Sequence, residues 1–220
     1  MKHILETDGL FLRIHERTIL TSVYMRCDTG QVTGLLGRNG AGKTCLMNII
    51  YGRLPAQSRS VRFDGEPLLA AWKQPERVRY APQFNFVPGN HTLKRVFDDF
   101  NVNFERFGRF FPELSPFYHT RFKNLSGGHR RLAEIYVILC SGSEFIMLDE
   151  PFSHIMPAHV ATLQQIIQEE KASKGILISD HLYREVGSIS DRLYLLEDGH
   201  LREIPDLAEA GSYIGRAHKP

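Results

Sequence analysis

The sequence predicts an α/β fold: a parallel sheet with crossover helices, an N-terminal antiparallel sheet, and a helical subdomain over about residues 84–140. Three observations predict it. Short apolar, β-branched runs alternate with helical patterns, as strands and crossover helices of a parallel sheet do. A glycine-rich loop follows the first buried run and opens a helix. Residues 84–122 hold 10 of the 14 phenylalanines, five of them at helical spacing.

In chain order, the first 30 residues and the stretch Val61-Arg62-Phe63-Asp64-Gly65 read as short strands with turns, a small antiparallel sheet. Val32 to Leu36 reads as a buried strand, as do Phe145 to Leu148, Ile176 to Ser179 and Leu193 to Leu196. Leu132, Ile135, Tyr136 and Leu139 fall at i, i+3, i+4, i+7, the apolar face of a helix that follows Gly127 and Gly128. Val160, Leu163, Ile166 and Ile167 repeat the pattern, and Asp198-Gly199 is a hairpin turn signal. Phe97, Phe100, Phe104, Phe107 and Phe111 are spaced as one helix stripe. Such a stripe reads as the core of the helical subdomain, with a docking groove for an apolar partner helix as the alternative. Phe84 and Phe86 lie off the stripe and are the better docking candidates. There is no internal repeat or low-complexity linker, so residues 1–220 read as a single domain.

Composition narrows the function classes. A net charge of +2 gives no reason to expect a nucleic-acid binder or a polybasic membrane anchor. Cys27, Cys45 and Cys140 are widely spaced, form no metal-ligand pattern and suggest a reduced, cytoplasmic protein. Glu6 and Asp8 come too early for a secretory signal, and no window holds the ~18 uninterrupted apolar residues of a membrane span. Service to a membrane would therefore run through a partner.

Gly37-Arg38-Asn39-Gly40-Ala41-Gly42-Lys43-Thr44 fits G-x-x-x-x-G-K-[ST] at every fixed position. Phosphate oxygens need many N–H donors, and glycines let the backbone wrap closely around them. The helix starting near Lys43 adds its positive dipole end. Lys43 is placed to bridge the β- and γ-phosphates of a nucleotide and the Thr44 hydroxyl to ligate Mg²⁺. Cys45 follows as a residue of the same helix start, either a reactive thiol or a small packing residue.

Phe145-Ile146-Met147-Leu148 ends in Asp149-Glu150, two carboxylates delivered at the C-terminal edge of a strand, where parallel sheets bind ligands. Asp149 suits the Mg²⁺ shell and Glu150 the general base that polarises an attacking water. Leu125-Ser126-Gly127-Gly128-His129 opens another helix. Ser126 is a good N-cap, and with Gly127 and Gly128 it forms a second anion cradle. One chain has no obvious second phosphate for it, unless that phosphate belongs to another copy.

The phosphate loop, Gln83 in Tyr80-Ala81-Pro82-Gln83, Leu125 to His129, Asp149-Glu150-Pro151 and His181 occur in the order and approximate spacing of ABC ATPases. The resemblance covers nearly the whole chain. It implies a P-loop NTPase core of the ABC ATPase type, with ATP and Mg²⁺ as ligands. It also implies a head-to-tail dimer, with a second copy or a sister cassette, in which each nucleotide lies between one phosphate loop and the other subunit's signature serine and glycines. By resemblance, Gln83 senses magnesium and couples to an integral membrane transporter subunit, and His181 contacts the γ-phosphate. Asn39 to Leu46 and Gly128 to Glu134 look most like compact bacterial transporter cassettes, including those of lipopolysaccharide and branched-chain amino-acid systems. The function implied is an ATP-hydrolysing transporter subunit on the inner face of the cell membrane. The alternative is a soluble ABC ATPase of repair, translation or regulation.

Three positions depart from that family. His129 stands where the signature normally ends in glutamine. Ser153-His154-Ile155-Met156 stands where Ser-Ala-Leu-Asp is usual, so Met156 replaces an aspartate that helps link two sites. Ile14 and His15 stand where an adenine-stacking aromatic is expected, with His15 or Phe11 as possible substitutes.

Overall fold

A computed structural model describes residues 2–214, with side chains described through residue 210. Two sheets organise it. The first is antiparallel, in the order β2-β1-β4-β5, from β1 (Ile4–Ile14), β2 (Arg17–Asp28), β4 (Ser58–Phe63) and β5 (Glu66–Pro67). The second has the order β10-β9-β3-β8-β7-β6. Its members are β3 (Val32–Leu36), β6 (Val78–Ala81), β7 (Phe145–Asp149), β8 (Gly175–Ser179), β9 (Arg192–Glu197) and β10 (His200–Ile204). Neighbours from β9 to β6 run parallel, and β10 closes the edge antiparallel.

The central strands β3, β7 and β8 are buried at every residue, as strands covered on both faces must be. One face meets α1 (Lys43–Tyr51) and the antiparallel sheet, where Leu35, Leu46, Met147 and Leu177 pack with Leu10 and Val23. The other meets the remaining helices. Those are α2 (Leu93–Asp99), α3 (Phe104–Phe110), α4 (Gly127–Leu139), α5 (Pro157–Glu170), α6 (Tyr183–Gly187) and α7 (Leu207–Ile214). Asp198 and Gly199 both adopt positive φ, 48° and 82°, giving the two-residue turn between β9 and β10. The N-terminal strands are longer than the short runs read from sequence, because β1 continues through register shifts between Thr7 and Arg13.

The phenylalanine stripe is not one helix. Asn101 turns the chain at φ 54°, and Asn103 caps a new helix by accepting from the Arg106 amide at 2.8 Å. Thr92 caps α2 in the same way. The core reading of the stripe is correct: Phe97, Phe107 and Phe111 are buried with Tyr136 of α4, at centroid separations from 4.8 to 6.4 Å. Phe100 and Phe104 are partly buried against the same cluster. Phe86 also packs on it, partly buried, whereas Phe84 is 65% exposed. Phe107→Ala deletes a ring at the centre of this cluster and is expected to cost about 3–5 kcal/mol in urea unfolding. A cost below ~1 kcal/mol contradicts the packing described.

Candidate active site

β3 delivers the phosphate loop and α1 carries its far end away. Gly42 sits at φ 108° just before the helix, and a Cβ there would meet Ile19 Cγ2 at 3.0 Å. A Cβ on Gly37 would lie 2.7 Å from the Leu196 carbonyl, so the loop's first residue has no room for a side chain. The first intrahelical bond runs from the Leu46 amide to Gly42, which leaves the amides of the first turn without helical partners. The Lys43 ammonium is buried under the loop and donates to the Gly37 carbonyl at 2.7 Å and the Arg38 carbonyl at 3.1 Å. Burial pulls its pKa below the ordinary lysine value, against the opposing charges of Glu150, Asp149 and Asp180.

Around Lys43, Thr44 and Cys45, a cleft of about 450 Å³ is lined also by Ile19, Asn39, Gly40, Gly42, Gln83, Glu150 and His181. The structure thus brings residues from five separate parts of the chain to one place. Gln83 Nε2 donates to Glu150 Oε2 at 2.8 Å, and His181 Nδ1 lies 3.5 Å from that same oxygen. His181 Nδ1 is also 3.3 Å from Asp180 Oδ1. Glu150 stands at φ 49°, a strained position for a residue with a Cβ, and its amide donates to the Ser179 carbonyl at 2.6 Å. Strain there turns the carboxylate out of the strand into the cleft, next to Gln83.

Asp149, by contrast, is fully buried. Its Oδ2 accepts from the Tyr80 hydroxyl at 2.9 Å and its Oδ1 from Ser179. A carboxylate oxygen has two acceptor sites, so both oxygens keep capacity for a water or a cation. Asp149, Glu150 and Asp180 outnumber the two buried cations that feel their charge, Lys43 and Arg131, a balance that favours a bound cation. Among the described residues no cluster of three or more His, Cys, Asp or Glu is arranged to hold a metal by itself. Mg²⁺ fits this donor set, because it takes one or two protein groups and completes its shell with phosphate oxygens and water. Burial raises the Cys45 thiol pKa and the Asp149 charge adds to that, so Cys45 packs beside the cleft and is not an activated thiol.

Ser126, Gly127 and Gly128 are elsewhere. Ser126 Oγ accepts from the His129 amide at 3.2 Å and caps α4. Gly127 and Gly128 line a separate cavity with Gln83, Phe84, Arg131 and His154, which meets the phosphate cleft only at Gln83. Ile14, His15 and Phe11 line neither cavity, and Ile14 is 41% exposed at the end of β1. Met156 occupies the N-cap of α5 without a side-chain hydrogen bond, and Pro157 presets the first helical φ in its place.

Sequence reading missed the brace under the site. Arg131 reaches the Pro82 carbonyl at 2.6 Å, the Asp149 carbonyl at 2.9 Å and the Glu150 carbonyl at 3.4 Å. One guanidinium therefore ties α4 to the Gln83 loop and to the end of β7. Burial lowers its pKa, opposed by Glu134, Asp149 and Asp180. Next to it, buried Glu134 accepts from the Val87 amide at 3.2 Å and from Arg130 at 3.1 Å. The available signal was a charged pair inside the buried periodicity of α4, at Arg131 and Glu134.

A family model described as ABC transporter matches residues 20–153. The chain is 34% identical over 214 residues to the lipopolysaccharide export system ATP-binding protein LptB of Acidithiobacillus ferridurans, covering 90% of this chain and 88% of that one. It is 31% identical over 201 residues to LptB of Escherichia coli K12, covering 84% and 83%. Among solved structures, an ATP-binding cassette of an ABC transporter in its ADP conformation superposes with a TM-score of 0.78 over 97% of this chain and 95% of that one, at 23% identity. An ATP-bound bacterial Atm1-family ABC exporter superposes with a TM-score of 0.84, at 15% identity, over all of this chain and 43% of its own. At these identities the two structures share the fold.

Proposed function

The chain belongs to the ABC transporter family as an ATP-binding, ATP-hydrolysing subunit, and from that premise we propose that its catalytic site is completed by a second cassette, in a homodimer or with a sister chain. What supports this most is the separation of Ser126–Gly128 from the phosphate loop. An anion cradle at the start of α4 shares no more than Gln83 with the cleft that would hold a triphosphate. Head-to-tail pairing puts the cradle of one copy over the nucleotide of the other, which gives both a ligand.

Within one cleft the residues take distinct roles. Loop amides from Gly37 to Thr44 and Cys45 hold the phosphates, Lys43 turns from its own carbonyls to the β- and γ-oxygens, and Thr44, Asp149 and Gln83 would hold Mg²⁺. When bound, that ion neutralises charge on the phosphates as the bond to the leaving ADP breaks. Glu150 takes a proton from the water that attacks the γ-phosphorus, yielding ADP and phosphate. Gln83 and His181, both facing Glu150 Oε2, fix that carboxylate and the water beside it.

Among the described residues no helix is long and apolar enough to cross a membrane. We infer that a separate integral membrane subunit docks near Gln83 and the helical subdomain of about residues 84–140, and that the cassette works on the cytoplasmic face of the membrane. Phe84, beside Gln83 and 65% exposed, is the apolar residue best placed for that contact.

Ser126→Ala tests the shared site. It removes one hydrogen bond to a charged oxygen, so turnover is expected to fall by about tenfold. ATP binding by the isolated chain should be unchanged, because Ser126 serves the neighbour's nucleotide. Equal losses of binding and turnover would place Ser126 in its own chain's site and contradict the proposal.

A further inference from the structure

We propose that Leu69 and Trp72, with Arg53, Arg59 and Lys73 around them at the far end of α1, contact the anionic lipid headgroups of a membrane surface. The inference rests on the reading that puts the cassette on the membrane's cytoplasmic face, and it adds a contact that needs no partner protein.

The turn from Leu68 to Lys73 buries Leu68 and Ala71 completely, yet leaves Leu69 72% and Trp72 48% exposed. The chain's one tryptophan thus stands in solvent three residues from an exposed leucine. Cations gather around them. The Lys73 ammonium lies 5.1 Å from the Trp72 ring centre. The Arg59 guanidinium donates to the Leu69 carbonyl and, at 3.4 Å, to that of Ile49. A Cβ on Gly52 would sit 2.9 Å from the same Leu69 carbonyl, which brings the neighbouring Arg53 to this place. Arg53 lies 5.2 Å from the Tyr51 ring centre. Burial raises the Tyr51 pKa, and Arg53 and Arg79 both oppose that rise, so Arg79 belongs to the same group of charges. Glu66 and Glu76 are close in sequence, yet among the described residues no carboxylate forms an ion pair with Arg53, Arg59, Lys73 or Arg79. A net charge of +2 hides this local concentration.

Two kinds of group together choose the occupant. Four cations without counter-charges complement a negatively charged surface. Leucine and tryptophan add apolar surface that enters the boundary between headgroups and acyl chains, where an indole ring is favoured. A soluble polyanion would use the cations and leave Leu69 idle. Position agrees with this. α1 starts at the phosphate loop and its nine residues span about 13 Å, so the patch lies apart from the nucleotide cleft.

Trp72 emission reads the contact directly, because the chain has no other tryptophan. With vesicles of phosphatidylglycerol and phosphatidylcholine, the intact chain should show a blue shift that fades as salt is raised. With phosphatidylcholine alone it should show none. Arg53→Ala and Lys73→Ala should each weaken vesicle binding by about fivefold, the scale of one cation near an anionic surface. Leu69→Asp should abolish vesicle cosedimentation, with ATP turnover in solution unchanged as the check on folding. No shift with anionic vesicles, or an equal shift with neutral ones, overturns the proposal. So does an equal response to a short oligonucleotide or to polyglutamate, which would make the patch a nucleic-acid or acidic-protein site. The assay holds no membrane subunit, so its failure strikes the lipid contact and leaves docking near Phe84 untouched. Phe84→Asp should bind vesicles as the wild type does. Loss of vesicle binding in that variant would move the lipid contact to the docking region and overturn the assignment to Leu69 and Trp72.

Discussion

Glu150→Gln is expected to lower ATP turnover by about 10²–10³-fold while leaving ATP affinity within a few-fold of the wild type, measured by phosphate release and by calorimetry. The amide is nearly isosteric, still reaches Gln83 and His181, and cannot take a proton from water. Removing the charge also eases a crowded site, because Glu150, Asp149 and Asp180 outnumber the buried cations Lys43 and Arg131. Binding is therefore retained or slightly improved even as chemistry is lost. Equal turnover in the variant and the wild type would mean that another group activates the water.

Lys43→Ala acts at the opposite step. The ammonium is buried and already satisfied by the Gly37 and Arg38 carbonyls, so it is preorganised within the loop. Its loss leaves those carbonyls unpaired and the triphosphate without its nearest fixed cation. ATP affinity should fall by about 10²–10³-fold, the scale of one or two hydrogen bonds to a charged group. The pH dependence has a definite sign. Burial lowers the Lys43 pKa in the free protein, so between that value and the ordinary 10.5 the free site binds fewer protons than an exposed lysine does. Phosphate oxygens draw the proton back. ATP binding is then accompanied by proton uptake and weakens as pH rises through that window. Affinity that does not change up to pH 10.5 would show Lys43 fully charged without nucleotide.

Much of the site is legible in the sequence because its signals are local. The phosphate loop sits within one strand–turn–helix unit, and Asp149-Glu150 ends a strand whose five residues are all buried. What escaped depends on distant parts of the chain. Ile19 walls the nucleotide cleft from β2, in the other sheet, and no spacing within β2 announces it. Arg131 lies inside an apolar helical pattern, where its partners are three carbonyls that only the fold brings near. Tyr80 and Ser179 hold Asp149 from two different strands. The phenylalanine stripe misled by regularity: Asn101 and Asn103 break it, and both are residues favoured in turns and caps. Its burial was still readable, since a helix or two short ones bury the same rings.

The departures bear on the dimer. Met156 is 55% exposed at the start of α5 and offers no acceptor where a carboxylate is usual. In the shared site we propose, the cradle at Ser126–Gly128 and the braced cleft of the neighbour would then hold the pair together largely through the nucleotide. That dependence is the central claim, and light scattering on purified Glu150→Gln tests it most directly. With ATP the particle should have twice the 25.2 kDa chain mass, and without ATP it should have the mass of one chain. A protein that binds ATP and yet stays at one chain mass would contradict a site completed by a second copy, and would leave a sister cassette or the membrane subunit to complete it.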